Sequence, residues 1–130
     1  MPLTDKARRL VDEPNIAYLA TLDESGAPHV SPVWIDRDGD TLRVNTVVGH
    51  LKDRNMRRDP RVALALTDRE DVFQRVSIRA RVAGTVEGEE ADRHLDGLAR
   101  KYVGTERYED HRPGERRVLY RLEPVRAADR

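Results

Sequence analysis

The chain has 130 residues, with 24 Lys and Arg balanced by 24 Asp and Glu, so its formal net charge is zero, and it has no cysteine. That length suits one domain that buries about two thirds of its unfolded surface. Disulfides, thiolate metal sites and thiol catalysis are excluded, and no global field draws the chain onto nucleic acid or membrane.

Thr4, followed by Asp5, suits the N-cap of a first helix carrying Ala7, Leu10 and Val11 at helical spacing, and Glu13-Pro14 stops it. Residues 16–22 read as a strand, Asp23-Glu24-Ser25-Gly26 as a turn, and residues 28–35 as a second strand. Asp36-Arg37-Asp38-Gly39 forms a further turn. Residues 41–46 alternate, with Leu42 and Val44 on one face and Arg43 and Asn45 on the other. These three strands predict an antiparallel meander. A basic helix follows over 49–58, ended by Asp59-Pro60, and residues 61–67 form a strand with Val62, Leu64 and Leu66 in alternation.

Residues 68–71 make a polar turn. Residues 72–86 read as a long strand or bent pair, with Gly84 as a bulge. A helix over 87–103 places Ala91, Leu95, Leu98 and Tyr102 on its apolar face, with Gly104 as C-cap. Residues 105–114 are polar and expected to be mobile, and residues 116–122 form a last strand closed by Pro124. The expected fold is mainly β: a six-stranded antiparallel barrel with flanking helices.

No apolar run approaches the ~20 residues of a membrane span, and Met1-Pro2-Leu3-Thr4-Asp5 lacks the apolar core of a signal peptide, so a soluble, cytoplasmic protein is expected. Only Lys6, Lys52 and Lys101 are lysines, an arginine bias typical of GC-rich bacterial genomes. With 37% charged and 5% aromatic residues the core is lean, and a partner subunit would enlarge it.

The segment from Val44 to Pro60 carries the clearest chemistry. A strand ending in Asn45 and Thr46 feeds Val47-Val48-Gly49, and the loop opens the basic helix with His50, Leu51, Lys52, Asp53 and Arg54. A helix start presents unpaired N–H groups and a positive dipole end, to which Lys and Arg add full charges, so the corner suits a phosphate. Thr46 and the Asn45 amide add neutral partners. The competing reading is a solvated face in which Lys52, Arg54, Arg57 and Arg58 pair with Asp53 and Asp59.

Pro32-Val33-Trp34, Leu42-Arg43-Val44-Asn45-Thr46, Gly49-x-x-Lys52-x-x-Asn55 and Arg58-Asp59-Pro60-Arg61-Val62 together resemble the pyridoxamine 5′-phosphate oxidase-like flavin-binding split β-barrels. Within that superfamily the chain is most similar to the short members that use the deazaflavin coenzyme F-420. The resemblance extends over nearly the whole chain, including Tyr18-Leu19-Ala20-Thr21 and the helix near 91–103. It implies a homodimer of split barrels with a cofactor in each of two grooves between subunits. It implies a ring system along Ser31, Pro32 and Val33, and phosphate contacts from Thr46, Lys52 and the loop of Val48, Gly49, His50 and Leu51. It also implies that Arg79 or Arg81 reaches the groove from the partner. Many relatives carry arginine at the position of His50 or Leu51, so one phosphate contact is either missing here or supplied by Arg54.

Trp34 suits either core packing or stacking near a flavin-like ring. Ser31-Pro32 suits a strand edge beside a groove. His29, His50, His94 and His111 lack metal-ligand spacing, so no metal is expected. Glu89-Glu90 and Glu109-Asp110 read as surface acidity, since neighbours on a helix diverge. The expectation is an F-420-dependent oxidoreductase that moves a hydride from the reduced deazaflavin to a small organic substrate, with Lys52, Arg54 and Arg57 lining an exit for an anionic tail. The alternatives are an FMN-binding oxidoreductase on the same fold and a non-catalytic module for a cofactor or haem. Neutral charge and one Phe argue against a nucleic-acid platform.

Overall fold

The computed structural model describes residues 1–129. In chain order they form α1 (Asp5–Asp12), β1 (Ala17–Leu22), β2 (Pro28–Val33), β3 (Ile35–Asp38), β4 (Thr41–Val47), α2 (Leu51–Arg58), β5 (Arg61–Thr67), β6 (Arg75–Glu87), α3 (Glu89–Val103) and β7 (Arg117–Ala128). Among the described residues no helix is long and apolar enough to cross a membrane.

The strands form one antiparallel sheet in the order β2-β1-β5-β6-β7-β4-β3. Its two edge strands are consecutive in the chain, separated only by Trp34. A flat seven-stranded sheet would hold those edges roughly 29 Å apart, six spacings of about 4.8 Å, whereas the two residue steps from Val33 to Ile35 span about 7 Å. The sheet therefore curls until its edges meet, which is the split barrel.

That closure corrects two expectations. The strand expected over 28–35 breaks at Trp34, giving seven strands in place of six. The three-strand meander resolves into two hairpins at opposite edges: β1 pairs with β2 from Ala17↔Val33 to Leu22↔Pro28, while β4 pairs with β3 and β7. Pro28 and Pro32 lie on an edge strand, where a missing N–H costs no ladder bond.

β7 also outruns its expected end at residue 122. Pro124 stands opposite Ala80 and Arg126 opposite Arg79, so Val125 is the extra residue of a bulge. The bulge absorbs the donor that proline lacks, and the strand continues to Ala128. A second irregularity lies between Val82 and Gly84, at the expected bulge. β6 begins at Arg75, because residues 72–74 turn in the hairpin that returns from β5.

The core sits inside the curl, where Leu19, Ile35, Leu42, Leu66, Ile78, Tyr120 and Leu122 are fully buried. Helix α1 packs Leu10 and Val11 into it, and the Thr4 hydroxyl caps the helix by accepting the Ala7 amide at 3.1 Å. Leu119 faces away from Val118 and Tyr120 along β7 yet is also buried, where α3 lies against that strand. α3 starts at Glu89, two residues later than expected, after Gly88 as N-cap, and ends on Gly104 in the left-handed region at φ 77°.

Candidate functional site

β4 buries Asn45, Thr46 and Val47, then turns through Gly49 at φ 95°, a conformation that disfavours any side chain. His50 follows as the extended N-cap of α2, without a side-chain cap bond, so the helix begins at Leu51 and not at 49. Asp53 closes the turn from within the helix. Its Oδ2 accepts the Gly49 amide at 2.8 Å, and its Oδ1 accepts Arg57 Nε at 2.8 Å and the Tyr120 hydroxyl at 2.6 Å. Burial pushes the Asp53 carboxyl up, but the Gly49 amide, Tyr120 and Arg57 outweigh it and hold the group below its ordinary value. Asn55 pins α2 to β1 by donating to Thr21 Oγ1 at 3.0 Å.

Lys52 leaves the same helix turn in the other direction. It enters a cavity of about 630 Å³ whose lining combines the apolar Ile16, Pro32, Val33, Trp34, Leu95 and Leu98 with Asn45, Thr46, His50, Lys52, Glu115 and Arg117. Its ammonium donates to Ser31 Oγ at 3.3 Å. Burial, followed by the charge of Arg117, holds Lys52 below the usual lysine range, and burial likewise lowers Arg117. Among the described residues neither cation has a carboxylate within 4.0 Å. Arg117 donates Nε to Asn45 Oδ1 at 2.9 Å and lies 5.6 Å over the Tyr108 ring. Residues 105–114, expected as a mobile loop, supply Tyr108, Asp110 and Arg112 to the cavity wall.

The expected site residues divide by position. Pro32, Val33, Asn45, Thr46, His50 and Lys52 line the cavity, and Ser31 touches Lys52. The loop amides are already engaged: Val48 donates to Arg116 O at 2.8 Å, Gly49 to Asp53, and His50 to Val47 O at 3.1 Å. Leu51 and Arg54 face a different cleft, beside Asp23, Ser25 and Arg58. Arg79 stands on the exposed face of β6, opposite Ala63 and Arg126, in a shallow cleft with Tyr18, Val30 and Ala65. Arg57 pairs with Asp53 and Glu87, and Arg58 binds Asn55 Oδ1 and Leu22 O, so these two belong to the solvated, paired face.

Trp34 is half-buried, stacks on Tyr102 at 5.4 Å with an interplanar angle of 5°, and still borders the cavity. Sequence reasoning missed Arg117, Tyr108 and His94. Arg117 reaches the corner only through the β4–β7 pairing, which sets Val47 opposite it, and no local signal announces that. Among the described residues no group of three or more His, Cys, Asp or Glu is placed to hold a metal ion.

Residues 3–129 match the family model for pyridoxamine 5′-phosphate oxidase. No curated protein matches the chain. An F420 reductase of known structure superimposes with a TM-score of 0.84 at 23% identity, covering 100% of both chains. The conserved hypothetical protein Rv2991 from Mycobacterium tuberculosis gives 0.75 at 24% identity, over 96% of this chain and 82% of that one. HutZ, the haem storage protein from Vibrio cholerae, gives 0.68 at 20% identity, over 99% and 95%. At these identities the structures speak to the fold, while the match over residues 3–129 speaks to ancestry: the chain belongs to the pyridoxamine 5′-phosphate oxidase family.

Proposed function

We propose that the protein is a coenzyme F-420-dependent reductase acting on a small organic acceptor. The observation that carries this reading is the convergence of Lys52 and Arg117, neither with a carboxylate within 4.0 Å among the described residues, on a cavity that also has an apolar lining in Pro32, Val33 and Trp34. The volume of about 630 Å³ falls in the ~300–1,000 Å³ range of small-molecule sites. A planar ring fits against Pro32, Val33 and Trp34, and an anionic group fits against Lys52 and Arg117, so the residues present suit a phosphate-bearing deazaflavin. The likeness in fold to an F420 reductase over the whole of both chains favours the deazaflavin over FMN.

The bound coenzyme would supply the hydride, and the chain would bind, orient and exclude water. Lys52 and Arg117 would fix the anionic end, Thr46 would add a neutral hydrogen bond, and the Tyr108 segment would shield the cavity from solvent. No side-chain nucleophile is required.

A second copy of the chain completes this proposal. The exposed face of β1, β5 and β6 carries Tyr18, Ala20, Ala63 and Ala65 with Arg79 at its margin, an apolar surface suited to self-association. In a homodimer built on that face, Arg79 or Arg81 would approach the partner's cavity.

The test is single-turnover oxidation of reduced F-420 by the purified protein with an enone, a quinone and a nitroarene as acceptors. Protein-dependent loss of the reduced coenzyme with any of these is the expected result. Binding without turnover of any acceptor would leave a carrier in place of a reductase.

A further inference from the structure

Asn45 does not reach the cavity as a free amide. Its Nδ2 donates to Ala91 O at 2.9 Å and contacts His94 Nδ1 at 3.1 Å, while its Oδ1 accepts from Arg117 Nε at 2.9 Å. A carbonyl can only accept and a guanidinium can only donate, so the amide has one possible orientation. That orientation makes His94 Nδ1 an acceptor and puts the ring proton on Nε2, which points at Asp36 Oδ1 at 2.9 Å. Asp36 is held in turn by Arg43, at 3.0 and 2.8 Å. The His94 side chain is 2% exposed and does not border the cavity.

We infer that His94 is a positioning residue: through Asn45 it fixes the Arg117 guanidinium in the orientation that meets an anionic ligand. The inference rests on the reading of the cavity as the F-420 site. With Nε engaged by Asn45 and the face packed on Tyr108, Arg117 is left with its terminal nitrogens for the cavity, already ordered before a ligand arrives. If Nδ1 stopped accepting, Asn45 Nδ2 would keep only Ala91 O as an acceptor, and the amide would be held less rigidly. Its Oδ1 would then hold Arg117 Nε less firmly, and the guanidinium would lose part of its order.

Two substitutions separate positioning from packing. In His94→Asn the side-chain oxygen replaces Nδ1 and keeps the acceptor for Asn45, while the bond to Asp36 is lost. In His94→Gln the terminal amide replaces Nε2 and keeps Asp36, while the acceptor for Asn45 is lost. Titration with F-420, followed by the coenzyme's absorbance, should show His94→Asn within about threefold of wild type. It should show His94→Gln and Arg117→Ala each weaker by about tenfold, or 1.4 kcal/mol. The double variant should be no weaker than Arg117→Ala alone.

Without any ligand, ¹⁵N spectra should show an exchange-protected Arg117 Nε–H in wild type and His94→Asn and a rapidly exchanging one in His94→Gln. Equal weakening by the two His94 variants, or a protected Nε–H in His94→Gln, would overturn the inference. Failure of wild type to bind F-420 would overturn the functional reading, and the exchange measurement would still decide the role of His94.

Discussion

The Lys52 ammonium and the Arg117 guanidinium share one cavity with no carboxylate in contact with either among the described residues, and after burial it is the charge of Arg117 that most depresses Lys52. Two half-buried like charges with no carboxylate in contact oppose folding, a cost that Glu115 and Asp92 offset for Arg117 only at longer range, and an anion that binds between them relieves it. Lys52→Ala should therefore weaken F-420 binding at least tenfold, about 1.4 kcal/mol. The melting temperature of the free protein should stay level or rise. Titration beside a thermal melt checks both, and an unchanged dissociation constant would remove Lys52 from the site.

His50 caps α2 without a side-chain bond. Aspartate there would accept a first-turn amide and complement the dipole, a gain of about 1 kcal/mol in stability. The same carboxylate would stand beside Lys52 in the cavity and repel an anionic ligand. His50→Asp should raise the unfolding midpoint in urea and lower the affinity for F-420. A variant improved in both would show that the ligand's charge lies elsewhere.

Asp53 is 2% exposed and joins Gly49, Arg57 and Tyr120 at one point. Asp53→Ala should cost about 3 kcal/mol, because it leaves the Gly49 amide without its acceptor and the buried Tyr120 hydroxyl with only its 3.2 Å bond to the backbone carbonyl of residue 53. The Asp53 carboxyl is held below its ordinary value in the fold, so its contribution is present above about pH 4 and is lost as pH falls through the folded value. Urea unfolding between pH 2 and 5 should show a smaller acid loss in the variant than in wild type.

Lys101 donates to Val11 O and to Ile35 O, with no carboxylate in contact among the described residues, and burial lowers it from 10.5 to about 8. Its unfolded form binds more protons between those values, so stability should rise as pH rises from 8 toward 10. Tyr102, raised by burial from 10.0 to about 12, works in the opposite direction above pH 10, and Tyr120 is raised as well. Stability should thus peak near pH 10. Lys101→Met should abolish the rise and keep the fall, as read by denaturant midpoints across that range.

The apolar face of β1, β5 and β6 should bury against a second copy. Light scattering at micromolar concentration should report a dimer for wild type and a monomer for Ala65→Glu, which places a charge on that face. A monomeric wild type would contradict the groove between subunits.

The sequence made the basic corner legible because it is local: Gly49, His50 and Lys52 lie within one turn of chain. Alternation likewise marked β5, and glycine marked the bulge at Gly84 and the cap at Gly104. The break at Trp34 was hidden, since Val33-Trp34-Ile35 is an unbroken apolar run and only the closure of the sheet divides it. Arg117 and His94 were hidden for a similar reason. Strand pairing brings the first beside Asn45, and α3 carries the second to Asp36, 58 residues away. Tyr102 read as an apolar position, and its ring does stack on Trp34. Its hydroxyl also donates to Asn15 O at 2.6 Å and accepts the Ile35 amide at 3.2 Å, which helical spacing alone could not disclose.

Parallel spectral titrations of the ligand-free protein with F-420, FMN and haem test the central claim most directly. Saturable binding of F-420 that is weakened at least tenfold by Lys52→Ala and by Arg117→Ala is the expected result. Tight binding of FMN or haem alone, or F-420 binding indifferent to both substitutions, would contradict it.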